Sequence, residues 1–355
     1  MRKENCIAQE NNSYTPLAWL VVESLPVHED IKKGLPSRDQ YIETYITSLR
    51  NLAACGIKIV CYNFMPVLDW SRTKLNYTLP AGQETLRFVW EDFAIFDLYI
   101  LKRLQATQDY SNEIRESAKA KFESMSSEEI AILTNTVLLG LPGSEEAFSL
   151  TEFQQVLNAY QDIDDQKLRD NLYYFIQKIA PVAEELGIKL CIHPDDPPFP
   201  LLGLPRVVST ASDLTQLMEA CPVNANGITL CTGSLGVRQD NNILQIIQRF
   251  GPRIHFIHLR TTKREAGYRN FHEAPHLEGD VDMYIVIKAL AAEEQRRQLA
   301  NETHVQIPMR PDHGFQMLDD LHKKTYPGYS AIGRLKALAE LRGLEVSIHR
   351  SMLHS

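Results

Sequence analysis

The sequence has no apolar run of the ~18–20 residues that a membrane helix needs. It has no C-x-x-C pair among its six cysteines, no G-x-G-x-x-G after its first apolar run, and no internal repeat. These absences exclude a helical membrane span and argue against a zinc ribbon or a disulfide framework. They also weaken a dinucleotide-binding reading. Positive charge is in deficit too: 37 Lys and Arg against 45 Asp and Glu give a net charge of −8. That argues against nucleic acid and against a basic membrane patch as partners. A small anionic substrate stays open, since it needs only a few local arginines. The first thirty residues lack a basic start followed by an apolar stretch. The expectation is a cytoplasmic chain with reduced thiols.

What is present is ordinary globular composition: 355 residues, 44% apolar and 23% charged. The length suits two domains or one α/β barrel. Residues 1–16 are polar and irregular. Six short apolar runs follow, at 17–23 (LAWLVVE), 57–64 (IKIVCYNF), 188–193 (IKLCIH), 227–231 (GITLC), 254–260 (IHFIHLR) and 305–312 (VQIPMRPD). Near-continuous apolar runs separated by helical stretches predict buried parallel strands. Gly56, Gly187 and Gly227 precede three of them, as glycines that close a helix do. Residues 80–183 show no convincing strand and read as a helical insertion, with capping-box spacings at Ser126/Glu129 and Ser149/Glu152. The last helix is expected to start at Ser330 and stop at Gly343. Residues 17–355 thus read as one barrel-like domain. A (β/α)8 barrel is favoured over an open doubly wound sheet because polar residues stand at the carboxyl ends of nearly all the runs, where barrel sites are built. Six strands are two short of eight.

The strand ends supply His193, Cys231, His258 and Asp312. Two imidazoles, a thiolate and a carboxylate meeting at one rim would make a divalent metal site. Alternation puts Phe256 and Arg260 on the face of His258, with His255 and Ile257 on the other. It likewise puts Arg310 with Asp312, and Cys191 and Asp195 with His193. Arg260 and Arg310 then stand beside the metal, as a carboxylate substrate requires. Each residue also has a plainer role: a hydrogen-bonded structural histidine, a small buried cysteine, an aspartate capping the next helix. Cys191 reads as core. Arg72, in the rim loop Asp69-Trp70-Ser71-Arg72, suits an anion or a surface ion pair. Glu23 ends the first run, in the site or neutralised by an arginine.

His272-Glu273-Ala274-Pro275-His276 spells H-E-x-x-H, but Pro275 breaks the helix a zinc protease needs. The segment reads as a loop above the site whose His272, Glu273 or His276 contacts substrate, the alternative being a solvated loop. His313 neighbours Asp312, and Pro327-Gly328-Tyr329 is a turn able to present the Tyr329 hydroxyl.

Seven stretches together resemble the mannonate dehydratase family: YNFMPVLDWSRT (62–73), HPDDPPFPLLGLPRVVST (193–210), LCTGSLGVRQDN (230–241), IHLRTTKREAG (257–267), FHEAPHLEGDVDMY (271–284), IPMRPDHGFQMLDDL (307–321) and YPGYSAIGR (326–334). The resemblance runs from about Leu17 onward. It implies a (β/α)8 barrel of the xylose-isomerase-like kind. It also implies loss of water from D-mannonate to give 2-dehydro-3-deoxy-D-gluconate, in hexuronate breakdown, with Fe2+ or Mn2+. The family's metal ligands match His193, Cys231, His258 and Asp312, and its acid/base pair matches His313 and Tyr329. The family's first two strands have no counterpart in residues 1–16, so the barrel is expected to lack them. Substrate contacts are expected from Arg72, Arg260, Arg310, His272 and His276. The expected partner is a sugar acid, with a homodimer also open. An aldose–ketose isomerase or epimerase on the same barrel, or an inactive truncated barrel, are the alternatives.

Overall fold

The six apolar runs pair side by side in chain order, every pair parallel. This is seen in a computed structural model that describes residues 17–139, 149–267 and 269–352. The expectation of an irregular start at 1–16 lies outside the described residues. Strands β1 (Val21–Glu23), β2 (Ile59–Tyr62), β5 (Lys189–Ile192), β6 (Asn226–Cys231), β7 (Ile254–His258) and β10 (Met309–Arg310) form this sheet. The sheet is a half-barrel arc with β1 and β10 at its edges. It is curled: Cys61 Sγ on β2 lies 3.2 Å from Thr229 Oγ1 on β6. Glu23 at the end of β1 reaches Arg310 on β10 at 2.9 Å.

The runs are apolar throughout because both faces are covered. On the concave face Ile59, Cys61, Cys191 and Phe256 pack together. On the convex face Val60, Tyr62, Leu190, Ile192, Ile228, Leu230 and Ile257 join the main core with the surrounding helices. His255 faces outward and its Nε2 lies 3.1 Å from the Asn224 carbonyl, as alternation predicts.

A second sheet was not anticipated. Strands β3 (Lys74–Thr78), β4 (Glu84–Phe88), β8 (Thr262–Arg264) and β9 (Phe271–Glu273) form an antiparallel sheet in the order β3-β4-β9-β8. So β4 falls inside the segment read as strandless. Its sequence, ETLRF, is short and mixes charge with apolar residues, and such a strand carries little apolar periodicity. Among the described residues, the rest of that segment is mostly helical. Both capping boxes form, at Ser126/Glu129 and Ser149/Glu152. Helices Trp90–Ile95, Asn112–Ser124, Ser127–Leu138 and Leu150–Asn158 contribute to a separate aromatic core with Phe88, Phe199 and Phe271. The long helix Asp165–Glu185 instead places Leu168, Leu172, Phe175 and Ile179 in the main core. The last helix, Ala331–Met352, starts after Ser330 as expected but runs through Gly343. A mid-helix glycine costs only about 1 kcal/mol, which the packed neighbours Ala337, Leu341 and Ile348 offset.

Candidate active site

Three adjacent strands bring the first candidates together by register alone. Cys231 is opposite His258, and His258 is opposite Arg310. His193 follows β5 directly. The ligand atoms of His193, Cys231 and His258 all lie within 4.8 Å of one another, and all three residues are buried. The two imidazole rings are 5.0 Å apart. Each ring has one nitrogen held from behind. His193 Nδ1 lies 2.7 Å from the Pro194 carbonyl, and His258 Nε2 lies 3.1 Å from Glu23 Oε2. The free nitrogen of His258, Nδ1, is buried without a hydrogen-bond partner. An imidazole fixed by a carboxylate, with its other nitrogen bare, is how a metal-binding histidine is prepared. These three residues could hold a metal ion.

Asp312 completes the rim. Its Oδ2 lies 3.7 Å from His258 Nδ1 and 3.3 Å from Arg260 Nη1, and its Oδ1 accepts from Arg310 at 2.7 Å. Asp312 has a left-handed backbone, φ 63°, which Asp tolerates better than most residues. Burial pushes its carboxyl up, but His313, His258, Arg310 and Arg260 hold it well below the usual carboxylate range. Burial pushes His258 down, and Asp312 and Glu23 raise it overall. Arg260 reaches this rim because residue 233 is glycine: a Cβ there would sit 2.5 Å from Arg260 Nε.

Above the rim opens a cavity of about 480 Å³, lined among others by His193, Arg260, Arg310, Asp312, His313 and Tyr329. His313 and Tyr329 meet edge to face, ring centres 5.1 Å apart. Burial and the Asp312 charge push the Tyr329 hydroxyl above its ordinary range, so it stays protonated. One backbone contact secures the pair: Gly314 N–H donates to the Gly328 carbonyl at 2.7 Å.

The D-mannonate dehydratase (UxuA) family model matches residues 2–355. This chain belongs to the mannonate dehydratase family. It is 53% identical over 336 residues to the mannonate dehydratase of Marinomonas sp. (strain MWYL1), across 95% of this chain and 86% of that one. It is 54% identical over 332 residues to the mannonate dehydratase of Chromohalobacter salexigens, across 94% and 84%. The crystal structure of mannonate dehydratase from Streptococcus suis serotype2 superposes with a TM-score of 0.70 at 33% identity, covering 94% of this chain and 78% of that one. The enzyme is therefore a hydro-lyase of the mannonate dehydratase family on an α/β half-barrel sheet. No helix among its described residues is long and apolar enough to cross a membrane.

Arg72, His272, His276 and Asp195 do not line the cavity of this mannonate dehydratase relative. Arg72 is fully buried, its Nη1 donating to Asp196 at 2.9 Å and its Nη2 to Glu273 at 2.7 Å. His272 lies on β9, its Nδ1 2.7 Å from Glu265. H-E-x-x-H is not helical, since His272 and Glu273 are in β9 and a turn follows. His276 Nε2 lies 2.9 Å from the Pro311 carbonyl, bracing the loop before Asp312. Asp195 turns from the site: it accepts from Val208 N and Ser209 Oγ, both at 2.7 Å. Strand β5 ends at Ile192, so period-two alternation no longer governs residue 195, and Asp196 takes the inward place. Asp196 went unnoticed at the sequence level. The one available signal was indirect: buried arginines need buried carboxylates.

Proposed function

We propose that this chain dehydrates D-mannonate to 2-dehydro-3-deoxy-D-gluconate in cytoplasmic hexuronate catabolism, with Fe2+ or Mn2+ held by His193, Cys231, His258 and Asp312. The supporting observation is the bare, buried Nδ1 of His258 beside Cys231 and His193, with His193 on the cavity wall that also carries Asp312, His313 and Tyr329. A divalent ion at such a site supplies Lewis acidity toward a carboxylate and its neighbouring hydroxyl. Arg310, paired to Asp312 and Glu23 and still partly exposed to the cavity, draws in the sugar-acid carboxylate. His313 takes the proton from C2 and Tyr329 donates one to the departing 3-hydroxyl. A protonated phenol suits the second task and an imidazole the first. The enol released tautomerises to the 2-keto acid.

The test is product analysis on D-mannonate with Mn2+ or Fe2+ supplied. A 2-keto-3-deoxy acid is expected. Cys231→Ser should lower bound metal and turnover together, while His313→Asn should lose turnover and keep its metal. An isomerised sugar acid with no loss of water would favour the isomerase reading. Turnover retained in His313→Asn would move the acid/base role elsewhere.

A further inference from the structure

At the cavity wall, where Arg260 and Asp196 line it, two arginines and two carboxylates close a buried ring. Arg72 donates to Asp196 at 2.9 Å and to Glu273 at 2.7 Å, and Arg260 donates to Asp196 at 2.7 Å and to Glu273 at 2.8 Å. The four come from four separate chain segments, and all are essentially inaccessible to water. Burying such a set costs several kcal/mol per ion before pairing, and apolar residues in its place are often as stable. Stability alone is a weak reason for it. Its geometry offers a stronger one. Glu273 Oε1, already held by Arg72, lies 3.2 Å from His313 Nδ1, within ion-pair distance but off the line of a hydrogen bond, and that nitrogen is buried with no hydrogen-bond partner of its own. Arg260 Nη1 extends from the same ring to Asp312 Oδ2 at 3.3 Å and Cys231 Sγ at 3.7 Å.

We propose that Glu273 is a positioning residue for His313: a small turn of the imidazole lets its Oε1 accept the Nδ1 proton, which fixes the tautomer and ring angle and so leaves the Nε2 lone pair for the cavity. A histidine's working nitrogen is set by the hydrogen bond its other nitrogen makes. Glu273 can serve only because Arg72 and Arg260 immobilise both of its oxygens. The ring thereby ties the acid/base histidine to the rim that carries Cys231 and Asp312. Arg72 acts in this arrangement through Glu273 and does not touch substrate. The inference rests on the reading of His313 given above.

The experiment compares Glu273→Gln, Glu273→Asp and His313→Asn as Mn2+-loaded full-length enzymes on D-mannonate. Glu273→Gln places an amide N–H against a donor whichever way it turns. It should lower kcat about 100-fold or more, with KM within about twofold and metal content unchanged. Glu273→Asp keeps the charge but draws the acceptor back by one methylene, so it should recover part of that loss. A purely structural role would not produce this split or this recovery. Full kcat in Glu273→Gln beside an inactive His313→Asn overturns the positioning role alone, whereas an active His313→Asn overturns the reading of His313 itself. A raised KM with kcat intact, or loss of metal in step with activity, also overturns the proposal. If the glutamine variant does not fold, Glu273→Asp decides by the same kcat and KM comparison.

Discussion

Replacing Arg72 by methionine separates two roles that an arginine in a rim loop can have. If the side chain bound substrate, its loss would raise KM and leave the fold alone. The structure instead gives it two buried ion pairs, to Asp196 and Glu273, at 2.9 and 2.7 Å. Its guanidinium also lies 5.0 Å from the Trp70 ring centre and 4.9 Å from that of Phe271. Methionine fills much of the volume but leaves Asp196 leaning on Arg260 alone and Glu273 on Arg260 and His313. Removing one member of a buried charge set costs about 3–5 kcal/mol. With an unfolding entropy of about 2.1 cal/mol/K per residue, a chain of 355 residues should melt about 4–7 °C lower. Scanning calorimetry at neutral pH reads this directly. Arg72→Lys should show a smaller drop, because it keeps the positive charge, but still a drop, because one ammonium cannot fork between two carboxylates. An unchanged Tm together with a large rise in KM would refute the buried-ring reading and return Arg72 to the substrate.

Glu23→Gln should weaken metal binding about 10–100-fold, since Glu23 braces the imidazole of His258 at 3.1 Å. Competition with a chelator measures it, and unaltered affinity would show that the ring is held by something else. Acid should attack the buried ring. Burial raises the Glu273 carboxyl, but Arg260, His313 and Arg72 bring it down to about 2 from 4.5. A carboxyl lowered by folding stabilises the fold above its unfolded pKa and stops doing so as pH falls through its folded one. Glu273 alone therefore contributes about 3 kcal/mol at neutral pH, lost between about pH 5 and pH 2. Denaturant titrations across that range should show the loss, and in Glu273→Gln the acid limb should be shallower. An equal slope in the variant would remove Glu273 from the acid response.

Several features were legible along the chain because they depend on neighbours in sequence. Six runs of β-branched and aliphatic residues marked the parallel strands. Alternation then sorted His258 from His255 and put Cys191 into the interior cluster. The capping boxes were legible for the same reason, since a serine and a glutamate three residues apart satisfy each other locally. Strand β4 was not legible: its five residues carry a mixed pattern, and its pairing with β9 joins Arg87 to His272, a contact no local pattern encodes. Gly343 misled because a glycine signals a helix end only where packing does not carry the helix past it.

The site divides along the same line. The residue types and their places at strand ends were enough to propose His193, Cys231, His258 and Asp312 as one group, because a parallel sheet brings its carboxyl ends to one rim whatever the loops do. The tertiary structure alone decided what stands behind them. Arg72 and Glu273 are 201 residues apart in the chain, and Glu23 and His258 are 235 apart. Charge pairing in a dry interior acts over a few ångströms of space and is indifferent to separation along the chain, so which arginine meets which carboxylate was settled only when the chain folded.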